Sequence, residues 1–303
     1  MAATVNVNGR ITGERDAVIS VFDHGFLYGE GVYETLRTYA GRPFLTDRHL
    51  RRLRNSAEMI ALAVPLSDAQ IEQRIAETML HAAPNAPSGT EWYIRVLLTR
   101  GIGELTYDPA ATPTPSIVII VKPHGDPPPE LYRDGVRTIL SSIVRNHPAT
   151  VNPMIKSNNL MNNALAMQEG LRRGAFEVIM RNYRGELTEC SVSNLFVVKN
   201  GEALTPPLSA GLLPGITREF VLEIAGDAGI PAREATLYDE DLFGADEAFL
   251  TGTTREIMPI VMVDDRAIGS GLPGPVTRKL HAEFKRRVPK LTTEHTESTG
   301  KSF

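Results

Sequence analysis

The sequence predicts a mixed α/β fold (α+β) that is divided into two domains. Stretches in which apolar residues recur every three or four positions, as in amphipathic helices, are interspersed with shorter alternating stretches typical of strands. Three consecutive prolines at residues 127–129 interrupt this pattern, and such a run fits neither a helix interior nor a central strand. The chain has 303 residues, which is enough for two domains with separate cores.

The first third of the sequence predicts strands joined by tight turns, followed by two amphipathic helices. Asn8-Gly9 interrupts one alternating stretch and is typical of a two-residue hairpin turn. Ala40-Gly41 ends a second alternating stretch in the same way. The predicted elements are strands at residues 5–11, 32–39, 92–99 and 116–122, and helices at residues 46–63 and 66–81, with Ser67 as the N-cap of the second helix.

The proline run places the expected domain boundary. We expect a small α/β domain at residues 1–122, a linker at residues 123–131, a larger domain at residues 132–291 and a flexible tail at residues 292–303. Within the larger domain, the pattern predicts strands at residues 136–142, 177–180, 194–199 and 247–250, and helices at residues 158–173 and 217–226.

Composition and charge exclude several classes of protein. The chain is 42% hydrophobic and 22% charged with a net charge of −4, so nothing draws it to nucleic acid or to an anionic membrane. The longest apolar run, residues 117–121, is too short to span a bilayer, and the N-terminus lacks the pattern of a signal peptide. A single cysteine, Cys190, excludes an intrachain disulfide and a cysteine-based metal cluster. We therefore expect a cytoplasmic protein that acts on small molecules, with no metal, nucleic-acid or membrane partner.

Lys156 carries the clearest chemical signal. Apolar residues precede it and a long predicted helix follows it, a setting that suits burial. A lysine that is to bind an aldehyde must be unprotonated, and burial beside a cationic group lowers the pKa of such an amine. The alternative is an ordinary surface lysine near the start of a helix.

A carboxylate, Glu189, follows in a segment with little other charge. Pyridoxal 5′-phosphate (PLP) is an aldehyde cofactor whose pyridine nitrogen stays protonated when an ionised carboxylate faces it. Glu189 is a candidate for this partner. The alternative is a glutamate at the end of a strand that faces solvent.

Two turns of small residues could hold a phosphate group. Gly215-Ile216-Thr217 opens a predicted helix, where free backbone N–H groups and the helix dipole favour an anion. Gly252-Thr253-Thr254 follows a predicted strand and offers similar groups. Either turn could instead simply cap a helix. A fixed cation would strengthen the binding of the phosphate group. One predicted helix offers three candidates, Arg51, Arg52 and Arg54, most of which should be exposed to solvent.

Taken together, these segments resemble the fold type IV family of PLP enzymes, the class IV aminotransferases. The match runs from about Gly9 to Ile260 and includes further segments at residues 23–34, 49–53 and 205–211. The family contains branched-chain aminotransferases, D-amino acid aminotransferases and aminodeoxychorismate lyases. The resemblance implies bound PLP, a small N-terminal α/β domain, a larger C-terminal domain with a β-barrel-like core, and a homodimer or a higher homo-oligomer.

The resemblance also assigns roles to individual residues. Lys156 would be the catalytic Schiff-base lysine, and Glu189 would be the partner of the pyridine nitrogen. The remaining cofactor-binding residues would be Arg52, Gly215, Ile216, Thr217 and Thr253. The substrate-binding residues would be Tyr28, Tyr33, Arg37, Tyr93, Arg95, Thr254 and Arg255.

Several positions bear on which member of the family the chain resembles. Tyr93-Ile94-Arg95 is similar to a stretch of the branched-chain enzymes, whereas residues 105–107 lack the arginine-x-histidine pair that binds carboxylate in D-amino acid enzymes. Thr35 stands where branched-chain enzymes usually have glycine, and the lyases also have threonine there. Leu160 stands where branched-chain enzymes often have a tyrosine that contacts the cofactor. Arg255 could bind a substrate carboxylate, or it could pair with Glu256 or Asp246 on the surface.

The resemblance favours one function and leaves others open. We expect a transaminase that moves the amino group of branched-chain or other apolar L-amino acids to 2-oxoglutarate by a ping-pong Schiff-base mechanism. The alternatives are a D-amino acid aminotransferase and an aminodeoxychorismate lyase. A binding protein without catalysis is a third class, but the presence of the lysine, the glutamate and the phosphate-site residues argues against it.

Overall fold

The protein folds into two compact units. The computed structural model describes residues 2–299, with side chains up to Val288. Unit 1 comprises Met1–Gly125, Ile155–Asn159 and Val288–Phe303, and unit 2 comprises Asp126–Met154 and Leu160–Arg287. The expected domain boundaries and the flexible tail stay predictions, and residues 300–303 of that tail lie outside the described residues.

Unit 1 is an antiparallel sheet with helices on one face. Its elements are β1 (Thr4–Val7), β2 (Arg10–Gly13), α1 (His24–Leu27), β3 (Gly31–Tyr39), β4 (Arg42–Pro43), α2 (Thr46–Glu58), α3 (Asp68–Ala82), β5 (Trp92–Thr99) and β6 (Ser116–Pro123). The six strands lie in the order β2-β1-β6-β5-β3-β4. Every neighbouring pair is antiparallel.

The two faces of this sheet differ in chemistry. Successive side chains of a strand point to opposite faces. Val32 and Leu36 of β3 and Ile94 of β5 pack with apolar residues of α2 and α3 in one buried cluster. The opposite face receives the alternate residues of the same strands, among them Tyr33 and Arg95, which are only half-buried. The helices therefore cover one face, and the other presents polar and aromatic side chains.

Local signals in the sequence predicted the turns and one cap of unit 1 correctly. Asn8 and Gly9 have φ of 52° and 96° and join β1 to β2, as expected of a two-residue hairpin. Ser67 accepts a hydrogen bond from the backbone of Gln70, whose side chain accepts one from Ser67 N. The predicted N-cap is thus confirmed, as part of a capping box.

The first predicted helix is wrong in its C-terminal bound. The expected span was residues 46–63, but α2 ends at Glu58. Ala61 has φ of 48°, which is incompatible with a right-handed helix. Arg100 donates to the carbonyl oxygens of Ile60 (2.7 Å) and Ala61 (3.2 Å), so a tertiary contact holds the non-helical turn.

The segment around Lys156 adds to the sheet of unit 1 instead of starting a helix. The N–H of Tyr33 donates to Lys156 O (2.9 Å), and the N–H of Asn158 donates to Gly31 O (2.8 Å). A Cβ on Gly31 would lie 2.5 Å from Asn158 Nδ2 and 2.7 Å from Leu98 O, so this approach requires glycine. The helix expected at residues 158–173 consequently begins later, at Met161.

Unit 2 is built around a closed barrel. Its elements are α4 (Pro129–Asp134), β7 (Val136–Leu140), α5 (Met161–Arg172), β8 (Glu177–Arg181), β9 (Leu187–Cys190), β10 (Asn194–Lys199), β11 (Glu202–Thr205), α6 (Ile216–Asp227), β12 (Ala232–Glu234), α7 (Asp239–Phe243), β13 (Glu247–Gly252), β14 (Glu256–Val263), β15 (Arg266–Ala267) and the part of α8 (Pro275–Thr299) up to Arg287. Nine strands form one sheet, and a pairing of β9 with β10 closes the six strands β10-β13-β14-β7-β8-β9. The barrel-like core and the mixed fold class are therefore confirmed.

Apolar side chains fill the barrel. Ile179, Leu195, Leu250 and Met258 are fully buried in one cluster drawn from its strands. β14 is not among the predicted strands, and it contains Pro259, a residue that disfavours a central strand. No helix among residues 2–299 is both long enough and apolar enough to cross a membrane.

A buried ion pair ties the sheet of unit 1 to α2. Glu34 of β3 is fully buried and accepts from Arg52 Nε (2.7 Å), Arg52 Nη2 (2.9 Å) and His49 Nδ1 (2.7 Å). Burial alone would raise the pKa of Glu34, but the charge of Arg52 and the hydrogen bonds from Arg52 and His49 outweigh it, so this pKa lies well below its usual range. Burial lowers the pKa of His49, which therefore donates to Glu34 as a neutral imidazole.

We expect Arg52→Met to destabilise the protein by about 3–5 kcal/mol, because Glu34 would remain buried without its cation. Urea denaturation without added cofactor measures this loss separately from any effect on ligand binding. The double variant Glu34→Gln/Arg52→Met should recover much of the stability, since no buried charge is left. Equal instability of the single and double variants would contradict this account.

Because the folded-state pKa of Glu34 is lowered, the stability difference between wild type and Glu34→Gln should be present above about pH 4.3 and shrink as the pH falls below it.

Candidate active site

Lys156 lies beside an aromatic ring on the open face of the sheet in unit 1. Its Nζ is 4.6 Å from the centroid of the Tyr33 ring, and Cζ of Arg95 is 3.9 Å from the same centroid. The backbone N–H of Lys156 donates to Ser56 Oγ (3.1 Å), which fixes the start of the side chain. Burial raises the pKa of Tyr33 and Arg95 partly opposes this, so the phenol is neutral at ordinary pH. The side chains of Lys156 and Arg95 thus both contact the ring of Tyr33.

The strand register gathers the predicted substrate residues of β3 and β5. Thr35 lies opposite Arg95, and Arg37 lies opposite Tyr93. Directly opposed residues of an antiparallel pair point to the same face, so these side chains and Tyr33 share the face that α2 and α3 leave uncovered. Within unit 1 the structure therefore brings together Tyr33, Arg37, Tyr93, Arg95 and Lys156.

Tyr28 lies apart from this row, directly after α1. Its ring packs edge-on against His24 at 4.9 Å and lies 5.0 Å from the ring of Tyr107. His24 is fully buried, with ring nitrogens 3.1 Å from Glu30 Oε2 and 2.8 Å from Glu104 O. A rigid polar cluster thus holds the loop that carries Tyr28.

Arg52 is the one buried member of the arginine run on α2. Arg51 is exposed beside Asp47, and Arg54 pairs with Asp68 at 2.6 Å. The charge of Arg52 lowers the pKa of Tyr33, although burial outweighs it, so Arg52 lies within electrostatic reach of that ring. The predicted phosphate cation is already bound to Glu34.

In unit 2, Glu189 is a buried carboxylate with three donors. Arg145 Nε donates to its Oε1 (2.9 Å), while Asn194 Nδ2 (3.2 Å) and the N–H of Leu213 (3.1 Å) donate to its Oε2. A guanidinium and two further donors favour the ionised carboxylate. This is the form that can hold a proton on a pyridine nitrogen.

The N-terminus of α6 lies next to this carboxylate. Gly215 is its N-cap, and no side chain caps the first turn, which includes the N–H groups of Ile216 and Thr217. A Cβ on Gly215 would collide with Asn194 Oδ1, and Asn194 Nδ2 also donates to Leu213 O (3.0 Å). Asn194 therefore links Glu189 to a helix start that is suited to an anion.

The turn that carries Thr253 and Thr254 lies at the same end of the barrel. Thr251 of β13 pairs with Asn194 of β10, and the turn follows directly at Gly252. Thr251 Oγ1 is buried without a hydrogen-bond partner in the described part of the chain. An uncapped helix start, an ionised carboxylate and an unsatisfied hydroxyl fit a phosphorylated pyridine, so the residues of unit 2 suit PLP.

Arg255 pairs with neither of the surface partners that the sequence suggested. Its Nη1 donates to Glu177 and to Ser193 Oγ (3.3 Å), and its Cζ lies 4.7 Å from the ring centroid of Phe176. Glu256 instead contacts the basic side chains of α8, and Asp246 accepts from the backbone of residue 200. The suggested pairing of Arg255 with Glu256 or Asp246 is therefore wrong.

The predicted site residues are distributed over the two units. Unit 1 contains Lys156, Arg52, Tyr28, Tyr33, Arg37, Tyr93 and Arg95, and unit 2 contains Glu189, Gly215, Ile216, Thr217, Thr253, Thr254 and Arg255. Sequence reasoning missed the polar partners of these residues: Glu34, His49, Arg145, Glu177 and Asn194. Glu34 and His49 lie within segments that resemble the family, and Asn194 follows Glu189 by five residues, whereas Glu177 and Arg145 lie outside these segments.

Comparison with known proteins matches this architecture to one family. The family model for amino-transferase class IV matches residues 31–263. A protein of Methanocaldococcus jannaschii, provisionally named a branched-chain-amino-acid aminotransferase, is 38% identical over 281 residues, which cover 93% of this chain and 95% of the relative. The D-alanine aminotransferase of Bacillus licheniformis is 31% identical, again over 93% of this chain and 95% of the relative.

Solved structures of the same family superpose over nearly the whole chain. The branched-chain amino acid aminotransferase of Escherichia coli has a TM-score of 0.88 and 31% identity, and covers 94% of each chain. A second branched-chain amino acid aminotransferase, that of T.th., is solved with pyridoxamine 5′-phosphate and has a TM-score of 0.89 and 30% identity over 97% of this chain and 96% of the other. The same enzyme is also solved with N-(5′-phosphopyridoxyl)-L-glutamate, with a TM-score of 0.88 and 31% identity over the same shares. The chain therefore belongs to the class IV aminotransferases, the fold type IV enzymes whose cofactor is PLP.

Proposed function

We propose that this aminotransferase moves the amino group of branched-chain or other apolar L-amino acids to 2-oxoglutarate, in two half-reactions with ping-pong kinetics. The observation that carries the proposal is the placement of Arg95 and Lys156 against the one ring of Tyr33, at 3.9 and 4.6 Å. An amino acid whose nitrogen takes the place of the lysine amine would bring its carboxylate within reach of a fixed guanidinium. The relative of Methanocaldococcus jannaschii and the structural neighbours support the branched-chain assignment.

Each predicted cofactor residue has a role that its surroundings suit. When bound, PLP supplies an aldehyde that takes up the amino group and a ring that withdraws electrons from the reacting carbon. Lys156 would hold that aldehyde and later move the α-proton through its Nζ. Glu189, ionised beside Arg145, would keep the pyridine nitrogen protonated. The N–H groups of Ile216 and Thr217 would hold the phosphate, together with Gly215, Thr253 and Arg52.

The open face of the sheet in unit 1 would recognise the substrate. Arg37 and Arg95 would bind carboxylates, with Tyr93 and Tyr33 beside them on the same face. Tyr28, packed against Tyr107, would offer apolar surface to the side chain of the amino acid, and Thr254 and Arg255 complete the predicted set. A row that combines cations with aromatic rings suits an apolar amino acid, because such a substrate has a charged carboxylate at one end and an uncharged side chain at the other.

A D-amino acid aminotransferase is a second candidate. Several relatives at 30–33% identity are D-alanine aminotransferases that match 93–96% of this chain. The two candidates differ in which face of the α-carbon meets the lysine. The choice of enantiomer is therefore the measurement that separates the two candidates.

We expect the purified protein to bind PLP with an absorbance band that Lys156→Ala lacks, because the band of a lysine-bound aldehyde requires that amine. Lys279→Ala replaces an exposed lysine of unit 2 and serves as the matched control. The band should change on addition of L-leucine, L-isoleucine or L-valine and return with 2-oxoglutarate. A response to D-alanine alone would move the assignment to the second candidate. Pyruvate formed from aminodeoxychorismate without an amino acceptor would move it to the lyases.

We expect Arg95→Met to raise KM for L-leucine about 10–100-fold with a much smaller change in kcat, because a charge-assisted contact to the carboxylate contributes about 1.5–3 kcal/mol. Arg10→Met replaces an exposed arginine of the same sheet and should leave both constants near wild type. Steady-state kinetics with L-leucine varied at saturating 2-oxoglutarate makes the comparison. An unchanged KM in Arg95→Met would contradict the assigned role.

We also propose that the protein is a homodimer, formed through an exposed apolar patch of unit 1. This patch consists of Val18, Ile19, Val21, Phe22, Phe26, Ile102, Leu105 and Tyr107, which are between 49% and 80% exposed. The two segments that carry it are joined by a backbone bridge of Asp23 with Ile102 and by a hydrogen bond from Gly103 N to Phe22 O (3.3 Å). Contiguous apolar surface of this kind is typical of an interface between protein chains. Because Tyr107 contacts Tyr28, dimerisation would also order the predicted substrate pocket.

Sedimentation analysis should give twice the chain mass for the wild type and a shift toward the monomer for Val21→Glu/Phe22→Ser, since charge and polarity in an apolar interface weaken association. Leu272→Ser, which replaces an exposed leucine of unit 2, is the control and should remain dimeric. A monomeric wild type, or a double variant that associates as tightly as wild type, would contradict the proposed interface.

A further inference from the structure

The mouth of the barrel contains a carboxylate that the proposed function does not use. Glu177 begins β8 and is fully buried. Ile179, two residues further along the strand, belongs to the apolar core, and residues two apart share a face. Glu177 therefore faces the barrel interior at its end, where an unpaired carboxylate would be strongly destabilising.

Donors meet both oxygens of Glu177. Its Oε1 accepts from the N–H groups of Val178 (3.0 Å) and Ser191 (3.1 Å) and from Ser191 Oγ. Its Oε2 accepts from Arg255 Nη1 and from Ser193 Oγ (3.4 Å). The carboxylate thus joins three separate parts of the chain at one point.

Two of these parts carry predicted cofactor residues. Ser191 and Ser193 belong to the turn between β9 and β10, directly between Glu189 and Asn194. Arg255 belongs to the turn between β13 and β14 that presents Thr253 and Thr254. Glu177 is therefore the common anchor of the segment that would hold the pyridine nitrogen and of the turn that would hold the phosphate.

The second of these turns needs anchoring from outside, because its backbone is strained. Glu256 has φ of 53°, which is uncommon for a residue with a side chain and persists only where the surroundings hold it. On one side, Glu256 Oε2 lies 3.0 Å from His281 Nε2 and 2.7 Å from Lys285 Nζ, while Tyr132 Oη donates to Arg255 O (3.2 Å). On the other side, the guanidinium of Arg255 anchors the turn to Glu177 and to the hydroxyl that Glu177 also binds.

We propose that Glu177 is a positioning residue. Through Arg255, Ser191 and Ser193 it holds the segment that carries Glu189 and the turn that carries Thr253 at the distance from each other that cofactor binding requires. The competing explanation is that Arg255 merely neutralises a buried carboxylate. The two differ in what a neutral, apolar replacement of the pair would do. Such a replacement restores the charge balance of the barrel, but it cannot restore the hydrogen bonds that fix the turns. The inference rests on the roles proposed for Glu189 and Thr253.

The test compares Glu177→Gln, Arg255→Met and the double variant Glu177→Met/Arg255→Met with wild type. Titration of the cofactor-free protein with PLP gives its Kd, and thermal denaturation of the same samples gives Tm. All three variants should bind PLP at least about tenfold more weakly. The double variant should regain most of the Tm lost by Arg255→Met, because no buried charge is left unpaired. The pH dependence of the absorbance of bound PLP should also shift in Glu177→Gln, a change that a purely structural role would not cause.

A second buried carboxylate of unit 2 supplies the control. Glu247 accepts from the N–H groups of Val276 (2.9 Å) and Thr277 (2.8 Å) at the start of α8, away from any predicted cofactor residue. Glu247→Gln should lower Tm without changing Kd for PLP. A double variant with wild-type Kd, or loss of PLP affinity in proportion to Tm across all variants including Glu247→Gln, would overturn the inference. If wild type binds PLP but transfers no amino group, the proposed function fails while this comparison of Kd values still stands.

Discussion

A carboxylate buried in a protein needs cations or hydrogen-bond donors at its oxygens, and pairing with arginine is how three carboxylates of the candidate site meet this need. Glu34, Glu177 and Glu189 are each nearly or fully buried, and each is paired with one arginine from another part of the chain. Removing either partner of such a pair leaves an uncompensated charge in a poor dielectric. Each pair therefore fixes the relative position of two segments that have no covalent reason to be close.

Two of these pairs have different roles. The pair of Glu34 with Arg52 attaches α2 to the sheet of unit 1. The pair of Glu189 with Arg145 holds a carboxylate at the position proposed for the partner of the pyridine nitrogen. An apolar pair of similar volume would serve stability as well or better, so the presence of charge at these points indicates chemistry or positioning rather than folding alone.

Sequence reasoning predicted what depends on neighbouring residues and missed what depends on closure of the fold. The Asn8-Gly9 turn and the Ser67 cap follow from local backbone preferences, and both were predicted correctly. The pairing of β9 with β10 that closes the barrel is a tertiary event without a local signature. The early end of α2 has the same origin, because Arg100, distant in sequence, binds the carbonyl groups of the turn. Arg145 was missed for this reason too, since a lone arginine in an irregular loop carries no pattern.

Two buried polar atoms beside the motifs lower the stability of the folded protein. Asn158 Oδ1, two residues after the lysine, and Thr251 Oγ1, two residues before Thr253, are buried without a hydrogen-bond partner among the described residues. An unsatisfied buried polar atom costs about 1–3 kcal/mol, and an apolar side chain at either position would remove that cost. Both atoms lie beside residues that the motifs assign to one cofactor, although the two positions belong to different units of the chain. The packing of each unit therefore leaves a polar atom without a partner beside one of its own motifs.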